Sequence, residues 1–220
     1  MTQLLSVGES VYGKSNLLNC LVYSILLNEE YIDYTYMIDL KEVELYIYSK
    51  LPYVKFIDNV EDILELLKEI KQIMNNRFKA MQETGDLLYQ GKTLLVIIDE
   101  IGTISAYPKK IKDEIYNLMI EIFQKGRAAK IIFLVFALKI DSINLPSNVL
   151  ANIQSKVLMK TKSDFNINNS IETKESIEDI TRVKVTEFNR NRMILKDGIT
   201  SQKSLIQVPY IDKETEKVYG

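Results

Sequence analysis

The chain has 220 residues, 46% of them hydrophobic and 26% charged, with 28 Lys+Arg against 30 Asp+Glu for a formal net charge of -2. That composition suits a globular domain with one sizeable core, and the charge balance excludes a surface that is basic throughout, so any nucleic-acid contact has to be local. With 0 His and 1 Cys, imidazole chemistry, His-ligated metals, intramolecular disulfides and thiolate clusters are excluded, which leaves catalysis to carboxylates, Lys and Arg.

The first predicted element is a short strand over Gln3 to Val7, leading through Gly8 into a loop. After Lys14, the residues Leu17, Leu18, Leu21, Val22, Ile25 and Leu26 recur at helical spacing, so strand, tight loop and helix follow in that order. Cys20 falls on this helix among Leu17, Leu21 and Ser24 and reads as a small core filler. Tyr34 to Leu40 carries β-formers around Asp39, and a second short β-like piece, Tyr53 to Ile57, comes after Pro52. Val60 to Met81 places Ile63, Leu66, Leu67, Ile70 and Ile73 on one face with Glu and Lys opposite, which predicts a long amphipathic helix stopped by Gly85.

Thr93 to Ile98 is a continuous apolar run closed by Asp99 and Glu100, the pattern of a parallel strand buried on both faces. A helix from about Lys110 to Gln124 follows, Gly126 supplies its stop, and Lys130 to Ala137 is a second strand of the same kind. Beyond Pro146 the pattern weakens. Val157 to Thr161 reads as a strand, Ser163 to Ser170 as a polar stretch, and Ile171 to Ile180 as a short acidic helix. Met193 to Leu195, the dipeptide Asp197-Gly198 and Leu205 to Val208 read as a hairpin. The alternation predicts an α/β fold, a mainly parallel sheet flanked by helices with a small C-terminal hairpin. No linker divides it, so one domain is expected over 1–220, with a core to about 162 and an extension over about 163–220. The longest apolar run, Ile131 to Leu138, is far below the ~20 residues of a membrane helix, and no signal peptide opens the chain, so a cytoplasmic protein without direct membrane insertion is expected.

Gly8, Glu9, Ser10, Val11, Tyr12, Gly13, Lys14 and Ser15 fit G-x-x-x-x-G-K-S between a predicted strand and a predicted helix. Such a loop turns backbone N–H groups around phosphates at a helix N-terminus, with Lys14 on the β and γ phosphates, Ser15 on Mg²⁺, and Asn16 completing the nucleotide-binding run. The alternative is a Gly-rich turn without nucleotide, and Val11 and Tyr12 stand where small residues ease close approach. A strand ending in Asp99-Glu100 delivers two carboxylates to the edge where parallel sheets bind ligands. Asp99 would hold Mg²⁺ and Glu100 would polarise the attacking water, the role His cannot fill here. An arginine finger for the transferring phosphoryl group would be one of Arg77, Arg127, Arg182, Arg190 and Arg192. Arg127, ahead of an apolar strand and so near the far edge of the sheet, either serves a neighbouring subunit or satisfies a helix dipole.

These pieces together resemble the motor domain of the FtsK/SpoIIIE family of DNA translocases. The resemblance rests on the loop, the Asp99-Glu100 strand, the segment Met37 to Leu45, Leu51-Pro52-Tyr53, Asn76 to Met81, and Gly126-Arg127-Ala128-Ala129, over roughly residues 3 to 160. The tail, Arg192 to Lys196 and Gln207 to Tyr210, looks more like the coupling ATPases of conjugative elements. The resemblance implies a RecA-like P-loop NTPase that hydrolyses ATP with Mg²⁺, assembles as a homo-oligomeric ring, a hexamer, with ATP between subunits, and moves double-stranded DNA. A membrane-anchored, replication or conjugation partner would go with it.

The chain departs from the family where a polar γ-phosphate sensor is usual, reading Ala137-Leu138-Lys139, and Leu40 replaces a proline. It fits either a minimal mobile-element version or a motor domain excised from a larger protein. The alternatives to a DNA motor are a nucleotide-binding assembly or regulatory module with little hydrolysis, and an ATPase moving a protein substrate in a secretion system.

Overall fold

The computed structural model describes residues 3–9, 11–141, 144–171 and 174–211. The strands are β1 (Leu4–Val7), β2 (Ile32–Ile38), β3 (Val54–Ile57), β4 (Thr93–Ile98), β5 (Ile131–Ala137), β6 (Ser155–Leu158), β7 (Arg192–Lys196) and β8 (Lys203–Gln207). The helices are α1 (Lys14–Leu26), α2 (Val60–Thr84), α3 (Lys109–Lys125), α4 (Ser147–Leu150), α5 (Asp164–Ser170) and α6 (Lys174–Thr181). One 8-stranded sheet runs in the order β3-β2-β4-β5-β1-β6-β7-β8. The first six strands in that order are parallel, and β7 and β8 join antiparallel, giving the expected mainly parallel sheet with a C-terminal hairpin.

The apolar runs are continuous because the central strands are covered on both faces. Along β4, Leu94, Val96 and Ile98 join the core beneath α2 and α3, whereas Leu95 and Ile97 join the core beneath α1 with Leu17, Leu18 and Val22. On β5, Phe133 and Val135 share the first side and Leu134 and Phe136 the second. Each such side chain contributes roughly 1.5–3 kcal/mol by leaving water, so the middle of the sheet is its most strongly held part.

Helix α2 begins where the sequence predicts, because the Asn59 side chain accepts the N–H of Asp62 at 2.9 Å. It runs on to Thr84 and stops at Gly85 with φ 76. Its Arg77 is buried and ties the helix to the sheet, donating to the carbonyls of Ala129 (2.7 Å) and Lys130 (3.1 Å) and pairing with Asp33 at 3.0 Å. Two details depart from the sequence reading. The polar stretch after Ser163 is helix α5, capped by the Ser163 hydroxyl, with buried Asn166 accepting the Ile140 N–H at 2.8 Å. Its polarity is turned inward to satisfy a neighbouring loop, which hydrophobic periodicity does not register. Asp197-Gly198 is not a two-residue turn. Asp197 N–H donates to the Gln202 carbonyl at 2.9 Å, and the Asp197 carboxylate accepts the N–H groups of Ile199 and Thr200 inside a longer loop. Among the described residues, no helix is long and apolar enough to cross a membrane.

Candidate nucleotide site

The C-terminal ends of β1, β2, β4 and β5 converge on the N-terminus of α1 around a cleft of about 410 Å³. Gly8 leaves β1 with its N–H on the Ala137 carbonyl at 3.2 Å, and a Cβ there would lie 2.6 Å from the Met159 Cβ, so only glycine fits. Gly13, with φ 113, is the N-cap of α1 and packs directly against Asn191. No side chain caps this helix, and its first turn closes with Leu17 N–H on the Gly13 carbonyl at 2.9 Å. The N–H groups of Lys14, Ser15 and Asn16 therefore have no partner within the helix, which is the donor set an anion needs.

The rest of the loop is held from outside. The Glu9 carboxylate accepts the Lys162 N–H at 2.9 Å, the Tyr12 carbonyl accepts the Asn191 N–H at 3.0 Å, and the Lys160 ammonium sits 4.6 Å from the Tyr12 ring centroid. Val11 adopts φ 69 and is 76% exposed at the lining of the cleft. Ser10 lies outside the described residues. Asn16 is turned to the C-terminal tail, donating to the Pro209 carbonyl at 2.6 Å and accepting the Ile211 N–H at 2.9 Å. Cys20 is half-buried beside it, and its thiol donates to the same Pro209 carbonyl at 3.4 Å.

The structure brings Lys14, Ser15, Asp99 and Glu100 together. Lys14 and Asp99, both buried, form an ion pair between the first turn of α1 and the end of β4. Glu100 holds the left-handed backbone at φ 60 and is 7% exposed. Its carboxylate accepts the Leu138 N–H at 3.0 Å, so the residue standing where a polar sensor is usual reaches Glu100 through its main chain. Burial raises the Glu100 carboxyl above the ordinary glutamate range, with the charges of Lys14 and Lys41 and the Leu138 N–H acting against it.

Asp39 is the residue that sequence reasoning missed. It is fully buried at the end of β2 and accepts four backbone N–H groups, from Lys41 (3.0 Å), Val43 (2.9 Å), Glu44 (2.9 Å) and Leu45 (3.1 Å). That cage folds residues 41–45 over the cleft and brings the Glu44 carboxylate to the Ser15 hydroxyl at 2.7 Å. The available signal was a carboxylate at a strand end on the ligand edge, the same signal that marked Asp99.

Arg127 is not in the cleft. It lines a separate, mainly apolar cavity of about 420 Å³ with Leu88, Lys130 and Thr93, where β4 and β5 begin. Arg190 is the arginine that does line the cleft.

The donor set fits Mg²⁺ with a triphosphate. A hard cation takes oxygen ligands, and Ser15 and Asp99 supply a hydroxyl and a carboxylate with Glu44 adjacent. Among the described residues no group of three or more His, Cys, Asp or Glu could hold a metal ion.

A cleft built this way on this sheet has the layout of a P-loop NTPase fold. The FtsK/SpoIIIE family model matches residues 1–92, the part that carries the phosphate loop, Asp39 and α2, and over that stretch the chain is similar to the family. DNA translocase FtsK of Streptomyces avermitilis is 27% identical over 191 residues, covering 74% of this chain and 21% of that protein. DNA translocase FtsK of Staphylococcus epidermidis is 26% identical over 186 residues, covering 74% and 23%. The chain thus spans about a fifth of the length of these relatives.

Among solved structures the fold is that of the pCW3 conjugation coupling protein TcpA with ATPγS, at TM-score 0.79 and 19% identity, covering 97% of this chain and 61% of that one. ATPases 2 and 3 of EssC from Geobacillus thermodenitrificans give TM-score 0.79 at 15% identity, covering 99% and 42%. The genome packaging NTPase B204 of Sulfolobus turreted icosahedral virus 2, in complex with ATPγS, gives 0.60 at 17% identity, covering 96% and 98%.

Proposed function

We propose that this chain is a cytoplasmic ATP-hydrolysing motor that moves double-stranded DNA as a homo-oligomeric, hexameric ring, with the core over about 1–162 and the extension to 220 working as one unit. The observation that carries the hydrolytic part is the convergence of Lys14, Ser15, Asp99 and Glu100 in one cleft. Bound ATP supplies the transferable phosphoryl group, and Mg²⁺ neutralises its charge. The N–H groups at the start of α1 orient the phosphates, with Gly8, Glu9, Ser10, Val11, Tyr12 and Gly13 forming the loop that leads into them. Lys14 exchanges its Asp99 partner for phosphate oxygens, which frees the Asp99 carboxylate to join Ser15 as a cation ligand. Glu100, held by the Leu138 N–H, takes a proton from the attacking water.

Arg127, at the opposite end of the sheet from this cleft, acts on the nucleotide of a neighbouring subunit. DNA as cargo is supported by the DNA translocases among the relatives and by the genome packaging NTPase that shares the fold. Of the membrane-anchored, replication and conjugation partners considered, the conjugation coupling protein that shares the fold favours one in conjugation.

A protein substrate is the second reading, favoured by the balanced charge of the chain and by type VII secretion ATPases among the neighbours. The deciding experiment is steady-state ATP hydrolysis with and without double-stranded DNA, at low and moderate salt, with Lys14→Ala as blank. The DNA motor predicts turnover that rises with DNA, falls back with salt and vanishes in the variant. Turnover that ignores DNA in a protein that binds ATP favours a protein substrate or an assembly role.

A further inference from the structure

The tail after β8 lies across the start of α1. Asn16 grips it from both sides, through the Pro209 carbonyl at 2.6 Å and the Ile211 N–H at 2.9 Å. Tyr210, between these two anchored residues, is 64% exposed. Its ring centroid is 5.8 Å from the Arg190 guanidinium, and Arg190 lines the nucleotide cleft. The turn that carries Arg190 is equally fixed. Asn191 N–H donates to the Tyr12 carbonyl at 3.0 Å, Val208 N–H to the Asn191 carbonyl at 2.9 Å, and the Gln207 amide to the Arg190 carbonyl at 3.3 Å. An exposed aromatic ring and a guanidinium are thus held on rigid backbone at the edge of a phosphate cleft.

Sheet order gives that edge its meaning. Glu100 and Leu138 follow β4 and β5, on one side of β1, whereas Arg190 precedes β7, beyond β6 on the other side. Lys14 and Glu100 line one part of the cleft and Asn16 and Arg190 also line it, so a triphosphate with its terminal group at Lys14 and Glu100 would place its nucleoside toward Arg190.

We propose that Arg190 and Tyr210 form a stacking platform for the nucleobase of a bound nucleoside triphosphate. The proposal rests on the phosphate-loop reading above and adds the base subsite to it. A guanidinium plane and a phenol ring both stack on the face of a base, and stacking is tolerant of which base it is. The platform therefore recognises that a base is present more than which purine it is.

The test is equilibrium binding to the whole chain, measured by calorimetry with Mg²⁺, for ATP, GTP and inorganic tripolyphosphate. Arg190 and Tyr210 are both exposed, so replacing them leaves the core untouched. Tyr210→Ala is expected to weaken ATP and GTP about tenfold and to leave tripolyphosphate unchanged, whereas Arg190→Ala, which also removes a charge from the cleft lining, is expected to weaken ATP and GTP more than tripolyphosphate. Tyr210→Phe, which keeps the ring, is expected to match the parent. If ATP and tripolyphosphate weaken together, or if neither changes, while Lys14→Ala abolishes both, the platform is wrong and the phosphate loop stands. If Lys14→Ala leaves both bound, the phosphate-loop reading fails and the platform fails with it.

Discussion

Lys14 and Asp99 form a buried ion pair that joins the glycine-rich loop to the end of β4, so the two buried charges neutralise each other. Removing one partner strands a buried charge, whereas removing both leaves a neutral pair of similar shape. Lys14→Met is expected to cost about 3 kcal/mol in chemical denaturation, and Lys14→Met with Asp99→Asn is expected to recover most of that. Additive losses in the double variant would show that the pair carries no coupling.

Glu100 sets a pH dependence whose sign is determined by its raised carboxyl pKa. In the window between its unfolded value and its higher folded value, the folded chain binds more protons than the unfolded one, so this group makes stability fall as pH rises through the window. Glu100→Gln keeps an acceptor for the Leu138 N–H without the buried charge. It is expected to be more stable than the parent at neutral pH, with the difference vanishing in acid. For catalysis, the acid limb of kcat/KM is expected to lie above the ordinary glutamate range, and Glu100→Gln should reduce turnover to background while still binding ATP. A parent profile flat across that range would remove Glu100 as the base.

Asp39 holds the 41–45 loop through four N–H groups, and Leu45, fully buried, anchors its far end. Asp39→Ala leaves those donors without an acceptor and is expected to cost about 3 kcal/mol. Because Glu44 then loses its position on Ser15, the Mg²⁺ concentration needed for half-maximal ATP turnover should rise. Glu44→Gln, which spares the cage, should shift the Mg²⁺ requirement with little loss of stability. An unchanged requirement in both variants would make the loop purely structural.

Arg77, tied to the sheet, and Arg127, proposed to act on a neighbouring subunit, call for different outcomes on substitution. Arg77→Lys abandons the bonds to the Ala129 and Lys130 carbonyls and should lower stability by about 2 kcal/mol with ATP affinity unchanged. Arg127→Ala should leave stability and ATP affinity alone but abolish turnover. Mixing Arg127→Ala with Glu100→Gln subunits should restore part of it, because one supplies the arginine and the other the base. No recovery on mixing would argue against an arginine shared between subunits.

The sequence by itself determined the local features. Gly8 to Ser15 announced the phosphate loop because its glycines and lysine sit at contiguous, fixed spacing. Thr93–Ile98 was legible to the residue, since a strand buried on both faces has no polar positions to blur its ends. The stop of α2 at Gly85 and the pairing of the two C-terminal strands were legible from neighbouring residues, whereas the turn between those strands, read as Asp197-Gly198, is a longer loop. The tertiary structure alone decided what lies across the cleft. Ser15 meets Glu44, Asn16 meets Pro209, and Glu100 meets the Leu138 N–H only because the order β2-β4-β5-β1-β6-β7 lays the ends of distant strands side by side. The same order keeps Arg127, where β5 begins, at the far end from the cleft and brings Arg190 to it. Periodicity specifies which face of an element is buried, but strand order comes from packing the whole sheet against its helices, and that order selects which polar side chains meet.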